Sequence, residues 1–138
     1  MNILYYNPGR CLIGRRLLTS IKSERLANNI AIHRNLDKFS DRLRQQGNDK
    51  TIPIILAPKE EDLLDIYFIK HLFCKTPFIL LLPDRKKDTM AVGYRCKPRF
   101  MFYMDTNFAE ITEALHVLKE STNFRQEPDE HEYHKFAA

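Results

Sequence analysis

The chain has 138 residues, of which 43% are hydrophobic and 29% charged, so it can form one packed domain and does not have the composition of a disordered protein. Its longest apolar run, residues 78–82, is far shorter than the roughly 20 residues of a membrane helix, and we expect a cytoplasmic protein without membrane contact. Three cysteines without a C-x-x-C pair argue against a disulfide framework or a zinc site.

The net charge of +4 is unevenly distributed. Residues 10–50 hold ten Lys or Arg against four Asp or Glu, whereas residues 51–120 hold ten of each. Such a local surplus can attract nucleic acid, an acidic protein or a phosphorylated ligand. The chain has no nucleic-acid-binding motif, so we interpret the surplus as solvated helix faces and do not expect nucleic acid binding through this domain.

Five short apolar runs recur along the chain, and the segments between them have helical spacing. This pattern predicts five β-α units that form a parallel sheet covered on both faces. For five parallel strands the flavodoxin-like order 2-1-3-4-5 is the commonest solution, and we predict an α/β fold of that kind. The five runs are residues 3–6, 29–32, 52–56, 78–82 and 100–103.

The helices have recognisable boundaries. Asn35 is a predicted N-cap of the second helix, and Gly93 is predicted to end the fourth. The first helix is predicted to bury Ile13, Leu17 and Ile21, which are spaced four residues apart. Periodicity disappears near Thr122, so we predict a domain over residues 1–120 and a flexible tail, or the start of a linker, over residues 121–138.

In length, β-α pattern and capped last helix, residues 1–120 resemble the receiver domain of two-component response regulators. A working receiver has an acidic pair after strand 1, a phospho-accepting Asp after strand 3, a Thr or Ser after strand 4 and a Lys after strand 5. The carboxylates hold Mg²⁺ and the Asp attacks a phosphoryl group. The resemblance therefore implies a flavodoxin-like fold and a role in two-component signalling.

This chain departs from the receiver pattern at all four positions. None of the four strand ends carries the residue that the family's chemistry needs, so the resemblance implies a pseudo-receiver that is not phosphorylated by the family's route. We predict no catalytic residue, no bound metal and no cofactor. The four strand ends read Tyr6-Asn7-Pro8, Leu56-Ala57-Pro58, Leu82-Pro83-Asp84 and Tyr103-Met104-Asp105.

Function is then expected to be non-catalytic signalling or scaffolding through contact with a protein partner, or with a second copy in a homodimer. The candidate surface comprises the fourth helix, fifth strand and fifth helix, where aromatic residues cluster. Alternation along the strand prevents all of them from pointing into the core. The candidate interface residues are Tyr94, Phe100, Phe102, Tyr103 and Phe108.

Two alternatives remain open. Gly9, Arg10, Lys59 and Arg85 follow predicted strand ends, so they could form an anion site around helix amides and serve as a sensor of small anions or nucleotides. Cys11 lies at a predicted helix N-terminus, where a thiol can become a nucleophile. Against this enzyme hypothesis, the Arg that a phosphatase-type loop needs six residues later is replaced by Leu17.

Overall fold

A computed structural model describes residues 1–9, 11–45 and 50–123 of the protein, with side chains as far as residue 120. The described residues form a five-stranded parallel sheet in the order β2-β1-β3-β4-β5, which confirms the predicted flavodoxin-like α/β fold. The elements are β1 (Asn2–Tyr6), α1 (Leu12–Ser23), β2 (Asn29–His33), α2 (Leu36–Arg44), β3 (Thr51–Leu56), α3 (Glu60–Phe68), a 3-10 turn (Lys70–Leu72), β4 (Ile79–Leu82), α4 (Lys87–Arg95), β5 (Phe100–Tyr103) and α5 (Phe108–Asn123).

Helices cover both faces of the sheet. Alternate residues of each strand point to opposite faces, so Tyr5 packs with α1 and α5 on one face, and Tyr6 packs with α2, α3 and α4 on the other. The inner strand β3 is buried along its whole length, as its continuously apolar sequence requires. Pro53 lies within β3, but pairing with β4 begins one residue later at Ile54, so the proline precedes that ladder.

The second and fifth helices each begin directly after a residue whose side chain caps the helix. The side chain of Asn35 accepts hydrogen bonds from the backbone N–H groups of Asp37 (2.8 Å) and Lys38 (3.2 Å). Asn107, which directly precedes α5, accepts a hydrogen bond from the backbone N–H of Ala109 at 2.9 Å and caps that helix. Each cap satisfies N–H groups that have no partner within the helix.

Two details of the predicted helices are wrong. Gly93 does not end α4, which continues to Arg95; a Cβ at Gly93 would lie 2.8 Å from the sulfur of Met101. The glycine therefore permits a close approach of α4 to the sheet. Ile13 is 38% exposed, whereas Gly14, Leu17 and Ile21 are buried, so the buried stripe of α1 begins at Gly14 and not at Ile13.

The last described helix extends past the predicted domain boundary, because α5 continues to Asn123. The predicted tail lies, from residue 124 onward, outside the described residues. No helix in the described parts of the chain has the length and apolarity that crossing a bilayer requires.

Candidate functional site at the C-terminal edge of the sheet

Ligands of open α/β sheets bind beyond the C-terminal ends of the strands, so a site of this protein is expected at that edge. After β1, Asn7 donates its backbone N–H to the carbonyl of His33 at 2.9 Å, and its side chain is buried. The amide oxygen of Asn7 lies 2.6 Å from the point that a Cβ of Gly14 would occupy. The amide therefore fills the space over the first turn of α1 that the glycine leaves open, where a receiver would carry its acidic pair.

Neighbouring groups complete this packed corner. The hydroxyl of Tyr5 donates a hydrogen bond to the backbone carbonyl of Gly14, and burial raises the pKa of Tyr5 above its ordinary value. Burial also raises the pKa of Tyr6 to about 12, with a smaller contribution from Asp62 and Asp65. Both phenols therefore stay neutral at physiological pH.

The inner strands β3 and β4 end in residues without reactive side chains. Ala57 follows β3, is fully buried, and donates its N–H to the carbonyl of Leu81 at 2.9 Å. Pro83 follows β4, and the next residue, Asp84, accepts the backbone N–H of Lys86 at 2.9 Å. This hydrogen bond lowers the pKa of Asp84, with a further contribution from the hydroxyl of Thr89. The Asp84 carboxylate thus shapes the loop into α4.

A charged cluster forms where β4 and β5 end. The guanidinium of Arg85 bonds both oxygens of Asp105, with N···O distances of 2.9 Å, and lies 4.2 Å from the ring centre of Tyr103. The hydrogen bond from Arg85 holds the pKa of Asp105 below its usual value. Bidentate pairing and stacking on an aromatic face both favour Arg over Lys at this position.

Tyr94 of α4 adjoins this cluster. Burial raises the pKa of Tyr103, and Tyr94 raises it further, whereas Arg85 acts in the opposite direction. Tyr94 and Tyr103 are both half-buried and pack against the face of the sheet that α2, α3 and α4 cover. Arg85, Tyr94, Tyr103 and Asp105 together form what we call the tyrosine–arginine patch.

The predicted anion site consists of four residues, of which the structure describes Gly9, Lys59 and Arg85. Arg10 lies outside the described residues. Gly9 has a positive φ of 71°, the left-handed conformation that suits glycine in the turn before α1. Lys59 is exposed and its backbone N–H donates to Asp62 at 3.2 Å, while Arg85 is engaged by Asp105.

The five predicted interface aromatics divide between the two faces of the sheet. Phe100 is 3% exposed and belongs to the core, and its ring stacks on that of Phe102 with centroids 6.2 Å apart. Phe102 and Phe108 are half-buried on the α1–α5 face, opposite to Tyr103. The period of two along β5 places Phe102 and Tyr103 on opposite faces of this edge strand.

Other candidate groups are less organised. Cys11 is the N-cap residue of α1, is half-buried, and makes no side-chain capping bond. In the ranges that the structure describes, no three His, Cys, Asp or Glu side chains gather in a metal-binding arrangement.

Sequence reasoning missed the pairing of Arg85 with Asp105, which are 20 residues apart. The predicted strand order contained the signal, because it places β4 beside β5 and so brings the residues after both strands together. No protein-family model, curated protein or solved structure matches this chain.

Proposed function

We propose that the protein is a non-catalytic interaction module with a receiver-like architecture, which binds a protein partner without being phosphorylated. The observation that carries the proposal is the tyrosine–arginine patch, where Asp105 holds Arg85 against the ring of Tyr103 beside Tyr94. Tyr and Arg are the residue types that contribute most to protein–protein binding energy when they are held in place.

The residues at the inner strand ends support the same proposal. The side-chain amide of Asn7 packs over Gly14, and the Asp84 carboxylate accepts the backbone N–H of Lys86 in the loop before α4. Ala57 occupies the place of the receiver nucleophile and carries a methyl group that cannot attack phosphorus. Partner binding is therefore expected to be independent of phosphoryl donors.

The sensor hypothesis has less support from the geometry. An anion would have to compete with Asp105 for the guanidinium of Arg85, which already makes two short hydrogen bonds. The Asp105 carboxylate is held beside Arg85 by the fold and so has a high effective concentration there, whereas a free anion competes only at its concentration in solution.

The test is affinity capture of partners from an extract of the source cells, with and without acetyl phosphate and Mg²⁺. We compare the wild-type chain with Arg85→Glu, which reverses the charge of Arg85, and with Lys38→Glu, which makes the same charge change at an exposed position of α2, away from the fourth helix, fifth strand and fifth helix. We expect Arg85→Glu to weaken recovery of the partner at least about tenfold, and Lys38→Glu to retain it.

Two results would contradict the proposal. Retention of the same partners by Arg85→Glu would show that the patch is not the binding surface. Capture that depends on acetyl phosphate would show that the chain responds to phosphorylation.

A further inference from the structure

The outer face of α3 carries apolar side chains that no other part of the described chain covers. Leu64 is 48% exposed and Phe68 is 83% exposed. They are four residues apart, so they lie on one face of the helix. Transfer of an exposed Phe side chain from water into an apolar contact is favourable, so burial of this face on association lowers the free energy.

Carboxylates lie on the same face of α3. Glu61 and Asp65 are exposed and alternate with the two apolar residues at spacings of three and four. Neither makes an ion pair with another residue of the described chain. We call Glu61, Leu64, Asp65 and Phe68 the acidic face.

The start of α1 presents the complementary chemistry. Leu12 is 51% exposed and Ile13 is 38% exposed, and the neighbouring Arg15 and Arg16 are exposed as well. The first turn of α1 contains no acidic residue, so the positive end of the helix dipole adds to the guanidinium charges. We call Leu12, Ile13, Arg15 and Arg16 the basic face.

We propose that the acidic face of one copy binds the basic face of a second copy. Each face combines two exposed apolar residues with two like charges, and the charges of the two faces are opposite, so association buries apolar surface and pairs the charges. A second copy is the occupant that this complementarity selects, because the same chain carries both halves of the contact.

The fold determines the form of the assembly. Leu17 of α1 and Leu63 of α3 pack on opposite faces of the sheet, so the two faces cannot meet within one molecule. The contact is therefore heterologous, and each copy can bind one neighbour through α1 and another through α3. Heterologous contacts that do not close into a ring produce open chains, and the mean mass of the wild-type protein is expected to increase with concentration.

The test uses two variants that each disable one face. Phe68→Asp removes the acidic face as a binding surface and Leu12→Asp removes the basic face; both residues are exposed, so the fold is expected to persist, with unchanged circular dichroism and melting temperature. By light scattering, each variant alone should be a 16.4 kDa monomer. Mixed together, they should form a 1:1 complex, since one retains the basic face and the other the acidic face.

A charge exchange provides a second, independent readout. Arg16→Glu and Glu61→Arg should each weaken self-association, and the double variant should recover it, with loss at high salt in every case. Val117→Asp is the matched control, because Val117 is a 37% exposed apolar residue of α5 outside both faces; it should assemble like the wild type.

Several outcomes would overturn the proposal. A wild-type chain that stays monomeric at all concentrations would show that the faces do not bind each other. Assembly of the wild type without complex formation between Phe68→Asp and Leu12→Asp would indicate a different interface. Loss of assembly in Val117→Asp would indicate unspecific apolar aggregation.

Discussion

The C-terminal edge of the sheet has two corners that are closed by different forces. At the β1–α1 corner, Asn7 is buried against Gly14 and beneath it Tyr5 bonds the helix backbone. At the β4–β5 corner, Arg85 and Asp105 pair in the open, with side chains 57% and 69% exposed. One corner therefore depends on close packing, whereas the other depends on an ion pair that is exposed to solvent.

The largest expected effect is at the packed corner. Gly14→Val would place side-chain atoms where the amide of Asn7 lies, so the helix or the β1–α1 loop must move; overpacking of this kind costs about 1–3 kcal/mol. Urea unfolding measures the loss. Thr19→Val is the matched control, because it introduces the same side chain at an exposed position of α1. Equal midpoints for the two variants would show that the corner is not tightly packed.

A smaller effect is expected at the charged corner. Asp105→Asn removes the carboxylate that pairs with Arg85, but both side chains are well exposed, and solvent screens such pairs strongly. The urea midpoint should therefore stay close to that of the wild type, although the stack of Arg85 on Tyr103 loses its anchor. A loss of stability as large as that of Gly14→Val would remove the contrast between the two corners.

The smallest effect is expected for His33, the last residue of β2, whose carbonyl accepts the backbone N–H of Asn7 at the packed corner. Burial lowers the pKa of this imidazole, with further contributions from Arg42 and Lys38, and its Nε2 is buried without a partner among the described residues. The folded-state pKa is below the unfolded value of about 6.5. Stability is therefore full above that pH and is lost as the pH falls through the folded-state pKa, because the unfolded chain takes up the proton first.

Urea midpoints measured from neutral to acidic pH test the predicted direction in which stability changes with pH. The wild type should lose more stability on acidification than His33→Asn, which cannot take up the proton. The control is His71→Asn, which changes an exposed histidine and should follow the wild-type curve. A wild type that gains stability on acidification relative to His33→Asn would contradict the assignment.

The sequence was sufficient for the fold because local and global signals agree. The apolar runs predict the strands, and Asn35 caps the helix that it was expected to cap. The prediction that Gly93 ends α4 is wrong because a glycine near the end of a helix is the usual stop signal, whereas this glycine allows close contact of α4 with Met101. Nothing within the helix itself separates these two uses.

The candidate sites were less predictable. Apolar residues occur around much of α3, so periodicity alone does not reveal that Leu64 and Phe68 face outward while Leu63 is buried. The pairing of Arg85 with Asp105 depends on how two loops meet after adjacent strands. Such contacts follow from the strand order only after the direction of each side chain is known.

The proposal that this chain is not phosphorylated is tested most directly by the intact mass of the full chain after incubation with acetyl phosphate and Mg²⁺. A working receiver serves as positive control in the same assay. The control should gain a phosphoryl group and this chain should keep its original mass, since the residue that follows β3 is Ala57, whose methyl group cannot accept a phosphoryl group. A phosphoryl adduct mapped to Asp84, Asp105 or another carboxylate of this chain would contradict the proposal.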